Sequence, residues 1–178
     1  MVYNHREPVK SGKLISAVVL AVLLGCKRNH APAKEAVNGA FGWALGARLP
    51  AAFEVQTNAG LLRYVDPRGN VPPFDRVVLD LTTNRTIYAI TGTFTSASPE
   101  PCQDLERSLS EALAQKHVFK KKTMEGDVTR QHYGETNREA ILAVTTRPPT
   151  VALCYRDITF ARQAQQELSA HAAPLSQK

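Results

Sequence analysis

FDRVVLDLTTNRTIYAITGTF, residues 74–94, sets two apolar-rich runs around a short polar connection. Its two halves, 74–81 and 85–94, are rich in β-branched and aromatic residues, which suit a pleated, half-buried surface. Leu79 and Leu81 alternate with Val78 and Asp80, and the short Thr82-Thr83-Asn84 connection before Arg85 predicts a hairpin. Antiparallel strands therefore form the centre of the domain. Working outward, GLLRYV at 60–65 reads as another strand. PRGNVPP at 67–73 reads as a loop, because adjacent prolines have no N–H to give to a sheet ladder.

A helix follows the hairpin. Ser98 is a candidate cap, Pro99 suits a first turn in which its missing N–H costs nothing, and Glu100 and Asp104 lie near the positive helix end. Cys102, Leu105, Leu109, Ala112, Leu113 and Lys116 recur at spacings of three and four, an apolar stripe ending in a charge. EAILAVTT at 139–146 and TVALCYRD at 150–157 read as two further strands around Pro148 and Pro149. Ile158, Ala161, Ala164 and Leu168 then mark a short C-terminal helix. The expected class is α+β: a small, mainly antiparallel sheet, one long helix packed on it, and a short C-terminal helix. This domain is expected to span residues 41–170.

The N-terminus has a different character. Arg6, Lys10 and Lys13 stand against a single Glu7, the positive flank that an export signal keeps on the cytoplasmic side. Leu14–Leu24 follows, with Ser16 as its one polar side chain. A helix of that length rises only about 16 Å, roughly half the hydrocarbon thickness of a bilayer. It is too short for an ordinary span and the right length for a signal-peptide core. The segment ends abruptly in Leu23-Leu24-Gly25-Cys26.

LLGC at 23–26 resembles the lipobox of bacterial lipoproteins, with a leucine three residues before the cysteine and a small residue immediately before it. The resemblance covers residues 1–26. It implies that residues 1–25 are a signal peptide removed before Cys26, that the Cys26 thiol carries a diacylglyceryl group, and that the freed amine is commonly acylated. Two or three chains on one residue make a stable anchor where a single chain holds only reversibly. The other reading of the segment is an uncleaved anchor or buried helix with an incidental cysteine. Lys27 follows the cysteine. In enterobacterial lipoproteins an aspartate there favours inner-membrane retention, so the resemblance points to the outer membrane, with the protein facing the periplasm. Residues 26–40 then read as the lipidated cysteine and a tether, since KRNHAPAKEAVNGA has charges, a proline and a glycine without a sustained apolar period. Residues 171–178 read as a flexible tail.

Composition narrows the classes of function. The chain of 178 residues carries a formal charge of +6 and is 43% apolar, enough for one domain with a core. Removing residues 1–25 takes away three of the 22 Lys and Arg and one of the 16 Asp and Glu, which leaves +4. That mild excess lacks the dense basic stripe of a nucleic-acid binder, so no nucleic-acid partner is expected.

Of the three cysteines, Cys26 is assigned to lipidation. Cys102 and Cys154 remain, an even pair in an oxidising compartment, and they are read as a disulfide. Such a bridge closes a loop worth roughly 4 kcal/mol in the chain-entropy model. Two buried free thiols are the alternative, since distance is not written in sequence. No zinc or other metal site is expected, because CxxC spacing and paired histidines are absent. GxSxG, HExxH and GxxxxGK[ST] motifs are also absent, and no cofactor is expected. Asp75 and Asp80, five apart, are expected on opposite strand faces and make a poor acid/base pair.

Two stretches have surface potential. FGWALGARLP at 41–50 sets Phe41 and Trp43 beside Gly42 and Gly46. The aromatics either contact a partner or glycan, or plug the sheet edge while Gly46 turns the chain; the second reading is preferred. KHVFKKKTMEGD at 116–127 carries Lys116, Lys120, Lys121 and Lys122 around Phe119. Such a cluster could touch anionic lipid or peptidoglycan, but the preferred reading is a solvated helix end, where cations also suit the dipole.

The order formed by Phe41–Gly46, Tyr64–Pro67, Phe74–Leu81, Cys102 and Cys154–Asp157 resembles small envelope proteins of Gram-negative bacteria. That resemblance implies the fold and the disulfide, and brings no activity or site. The expected function is a lipid-anchored binding or interaction module, an accessory subunit or an immunity-type inhibitor, with no catalytic site. An envelope protein or glycan is its expected partner. The alternative is a cell-wall hydrolase, which requires a cleft gathering two or more of Asp75, Glu125, Asp127, His132 and Asp157.

Overall fold

The computed structural model describes residues 36–58, 60–67 and 71–172. Cys26 and the signal segment lie outside them. Two short strands, β1 (Gly39–Ala40) and β2 (Trp43–Ala44), pair as a small antiparallel ribbon. The main sheet has eight strands: β3 (Gln56–Asn58), β4 (Leu61–Val65), β5 (Arg76–Leu81), β6 (Ile87–Thr95), β7 (Phe119–Glu125), β8 (Val128–Gly134), β9 (Arg138–Thr146) and β10 (Pro149–Asp157). Helix α1 (Pro99–Lys116) separates β6 from β7, and α2 (Ile158–Ala172) follows β10.

The spatial order is β3-β4-β5-β6-β10-β9-β8-β7, antiparallel throughout. Two four-strand meanders, each followed by a helix, are thus joined through their last strands. Cys154 pairs with Thr91 and Leu153 with Gly92 across that junction. The α+β class holds, but the sheet is larger than the small one expected. Strands β3, β7 and β8 are the additions, and their polar sequences lack the apolar alternation that marks β5 and β6.

Strand periodicity divides the residues between two faces. On the first face, Val77, Leu79, Ile90, Leu142, Val151, Leu153 and Tyr155 form one core with Leu105, Leu109 and Leu113 of α1. This helix lies across β8, β9 and β10, and all five apolar members of its stripe are buried. Ser98 occupies the N-cap with extended backbone, although its side chain makes no capping hydrogen bond. Burying Leu109 contributes about 1.5–3 kcal/mol, so the stripe rather than the cap holds the helix down.

The other half of that face is covered by residues 37–55. Phe41 stands edge-on to Phe74 with ring centroids 5.0 Å apart, and Trp43 stacks edge-on against Phe53 and Tyr64. The Trp43 indole N–H donates to Asp66 at 2.9 Å. These contacts correct the partner-contact reading of Phe41 and Trp43: both serve the core, because the first sheet half has no helix of its own on this face. Arg85 secures the cover by donating to the carbonyls of Leu49 and Pro50 at 3.3 and 2.9 Å.

The domain also begins earlier than position 41. Val37 is buried, and its side chain approaches Gly134, whose φ of +116° and crowded surroundings leave no room for a Cβ. Residues 37–40, expected to belong to a tether, therefore pack with the domain, and α2 runs to Ala172, past the expected domain bound of 170.

The two cysteines correct a further expectation. Both are free thiols. Cys102 projects from α1 into the first-face core, whereas Cys154, between Leu153 and Tyr155 on β10, faces the other way with Phe160, Ala161 and Ala164 of α2. A sheet stands between them, so no 102–154 bridge forms.

Candidate functional site

Helix α2 covers the β6 and β10 part of the second face through Tyr88, Ala89 and Ala164, and its Leu168 reaches the turn before β4, 2.5 Å from where a Gly60 Cβ would stand. Asp157 sets its course. One carboxylate oxygen accepts the backbone N–H groups of Thr159 and Phe160 at 3.0 and 3.2 Å, an N-cap. The other accepts from Arg138 Nε at 3.0 Å, and Arg138 also donates to Asn38 Oδ1 at 2.8 Å. At its far end, Glu167 receives the Thr83 N–H at 3.0 Å and hydroxyl at 2.9 Å. The rest of this face is open and half-buried.

A recess of about 590 Å³ lies on the open part. Its floor is Val78 with Thr91 and Thr93, and its rim is Arg63, Asp75, Arg76, Asp80 and Thr95. Period-two geometry explains the set: Val78 and Asp80 on β5 and Thr91, Thr93 and Thr95 on β6 all point away from the core. Arg63 Nε donates to Asp80 Oδ1 at 2.7 Å. Asp75 Oδ2 accepts the Thr95 backbone N–H at 2.9 Å. Asp75 and Asp80 therefore share one recess, contrary to the expectation from strand alternation, because Asp75 lies in the loop before β5. Both carboxylates are engaged, one by a guanidinium and the other by a main-chain amide.

A second polar group lies on the same face, across β8, β9 and β10. Glu139 accepts from Arg156 Nε at 3.1 Å and stands 3.2 Å from His132 Nδ1. Burial alone raises a carboxyl pKa, yet the Arg156 and His132 hydrogen bonds outweigh it and hold Glu139 below the usual range. Its charge is fixed and compensated, not poised for proton transfer. Nearby, burial pushes the Cys154 thiol up, away from the thiolate a nucleophile needs.

The five residues from which the hydrolase alternative draws are not gathered in one cleft. Asp75 is in the recess, Asp157 caps α2, His132 meets Glu139, and Glu125 is bound by Arg130 at 2.8 Å beside Asp127 at the β7–β8 turn. Among the described residues no group of three or more His, Cys, Asp and Glu side chains has a metal-binding arrangement.

Lys120, Lys121 and Lys122 do not end a helix. They lie in β7, the edge strand, where a turn at Glu125–Val128 returns the chain into β8. Lys120 donates to the Glu135 carbonyl, and Lys121 and Lys122 are exposed. The recess escaped sequence reading, since its residues come from β4, β5, β6 and a loop; the polar alternate positions of β5 and β6 were the available signal.

These features define a class by architecture alone: a two-meander α+β domain with one covered and one largely open sheet face. Comparison with protein-family models, curated proteins and solved structures found no match. No helix among the described residues is long and apolar enough to cross a membrane.

Proposed function

We propose that this chain is a lipid-anchored cell-envelope protein, held at Cys26 and facing the periplasm from the outer membrane, that works as a binding module. An accessory subunit or immunity-type inhibitor fits this reading, with an envelope protein or glycan as its partner. The observation that carries the binding role is the open second face, where a recess of about 590 Å³ is edged by the Arg63–Asp80 pair and by Asp75, held by the Thr95 main-chain amide. Fixed, paired charges on a rigid sheet are suited to recognition, because they keep register and lose little entropy on docking. The carboxylates offer no free base. LLGC at 23–26, after a charged flank and a short apolar run, supports the anchor.

Crosslinking in intact envelopes, followed by affinity capture of the full chain, tests the reading. A specific protein or glycan should be retrieved by the native chain and lost with Thr93→Arg, which fills the recess from an open position without touching the core. Failure to retrieve any specific partner in repeated captures would remove the binding-module reading.

A further inference from the structure

We infer that edge strand β7 is the surface that lies against the membrane, and that its ligand is an anionic lipid headgroup layer. Three independent observations converge on it. First, the large apolar side chains that are exposed among the described residues are Val118, Phe119 and Met124, all on this strand or at its entry, at 48%, 50% and 79% exposure. Second, Lys121 and Lys122 project from the same strand with no hydrogen-bonding or ionic partner among the described residues, and Lys120 stands beside them. Apolar side chains interleaved with lysines suit the boundary between headgroups and acyl chains. Third, the chain enters the domain at the neighbouring corner, where the end of β8 meets the residue that leads into β7. Val37 Cγ2 lies 3.0 Å from where a Gly134 Cβ would stand, and the Gly134 N–H donates to the Val118 carbonyl at 2.8 Å.

The entry point ties this surface to the anchor. Ten residue steps separate Cys26 from Ala36, a reach of at most about 36 Å. That reach lets the bilayer lie along the β7 edge, which Lys121 and Lys122 flank on opposite faces of the strand. A second copy is the poorer occupant, because antiparallel pairing of β7 with itself brings two lysine runs together, the device by which edge strands resist self-association. With β7 on the lipid, the recess between β5 and β6, several strands away, stays open to the periplasm.

This proposal rests on the Cys26 anchor, and the test separates the two. The membrane-extracted full chain is weighed intact, then reconstituted into phosphatidylcholine vesicles with or without phosphatidylglycerol, and amide hydrogen exchange is followed. Exchange in residues 118–125 should slow about thirtyfold when the anionic lipid is present, the effect of two lysines near a charged surface. Lys121→Gln with Lys122→Gln should abolish that difference while leaving exchange in β6 and β10 unchanged. Equal exchange in 118–125 on both vesicles, in an acylated chain, overturns the orientation and leaves the anchor standing. Protection of β7 that grows with protein concentration, irrespective of lipid charge, overturns it in favour of a second copy. A chain without acyl mass overturns both.

Discussion

Cys102 and Cys154 stand on opposite sides of one sheet, the first under α1 and the second under α2. The cause is the two-residue period of β10, which turns Leu153 and Tyr155 into the core and Cys154 away from it. In the denatured, non-reduced protein both thiols should therefore take up an alkylating reagent in full. In the native protein they should react slowly, since burial pushes both pKa values up. Recovery of a 102–154 crosslinked peptide would refute the sheet placement itself.

Gly92 is the position at which the N-terminal cover meets the sheet. A Cβ there would stand 2.6 Å from the Phe41 ring and 3.0 Å from Phe74. Gly92→Val should destabilise the fold by about 1–3 kcal/mol through overpacking, read as a lower urea midpoint. A wild-type midpoint would mean that residues 37–55 do not close over this half.

Asp157 joins β9, β10, α2 and the entering chain through its cap and its Arg138 pair. Asp157→Ala should cost about 0.5–2 kcal/mol for the cap, more where Arg138 is left unpaired. Hydrogen exchange should quicken first in α2. Uniform exchange change across the domain would argue against this local role.

Glu139 gives a pH signature. Its folded pKa lies below the ordinary glutamate value of about 4.3, so its contribution is fully present above that value and is lost as pH falls through the lower folded one. Glu139→Gln should flatten the acid limb of stability against pH, measured by urea unfolding. An unchanged limb would assign it to other carboxylates.

Tyr88 and Tyr155 act at the alkaline end. Burial raises both to about 12, with Asp80 adding to the effect at Tyr88. Stability should be intact below the ordinary tyrosine value of about 10 and decline towards 12, as the unfolded chain gains the phenolate first. The part of the tyrosinate absorbance that Tyr88→Phe with Tyr155→Phe removes should titrate together with unfolding; if that part titrates near 10 in the folded protein, their burial is contradicted.

Local pattern carried far in this chain. The β5–β6 hairpin, the α1 stripe from Cys102 to Leu113, the strands near 139–146 and 150–157, and the C-terminal helix were all readable, because each buries an apolar face whose period marks its type. Strands β7 and β8 were not, since an edge strand needs no apolar alternation and lysine there is a protective choice. The Gly126-Asp127 pair was their one turn signal.

The elements with a buried face, the α+β class they imply, and the LLGC pattern at Cys26 on which the proposed anchor depends are all written in local sequence. Which faces meet was settled by long-range packing. It set Cys102 and Cys154 apart, brought Asp75 and Asp80 to one recess, and laid the entering chain against the end of β8. The physical reason is that periodicity records whether a side chain is buried, whereas the order of strands in a sheet is fixed by long-range pairings that no local window contains.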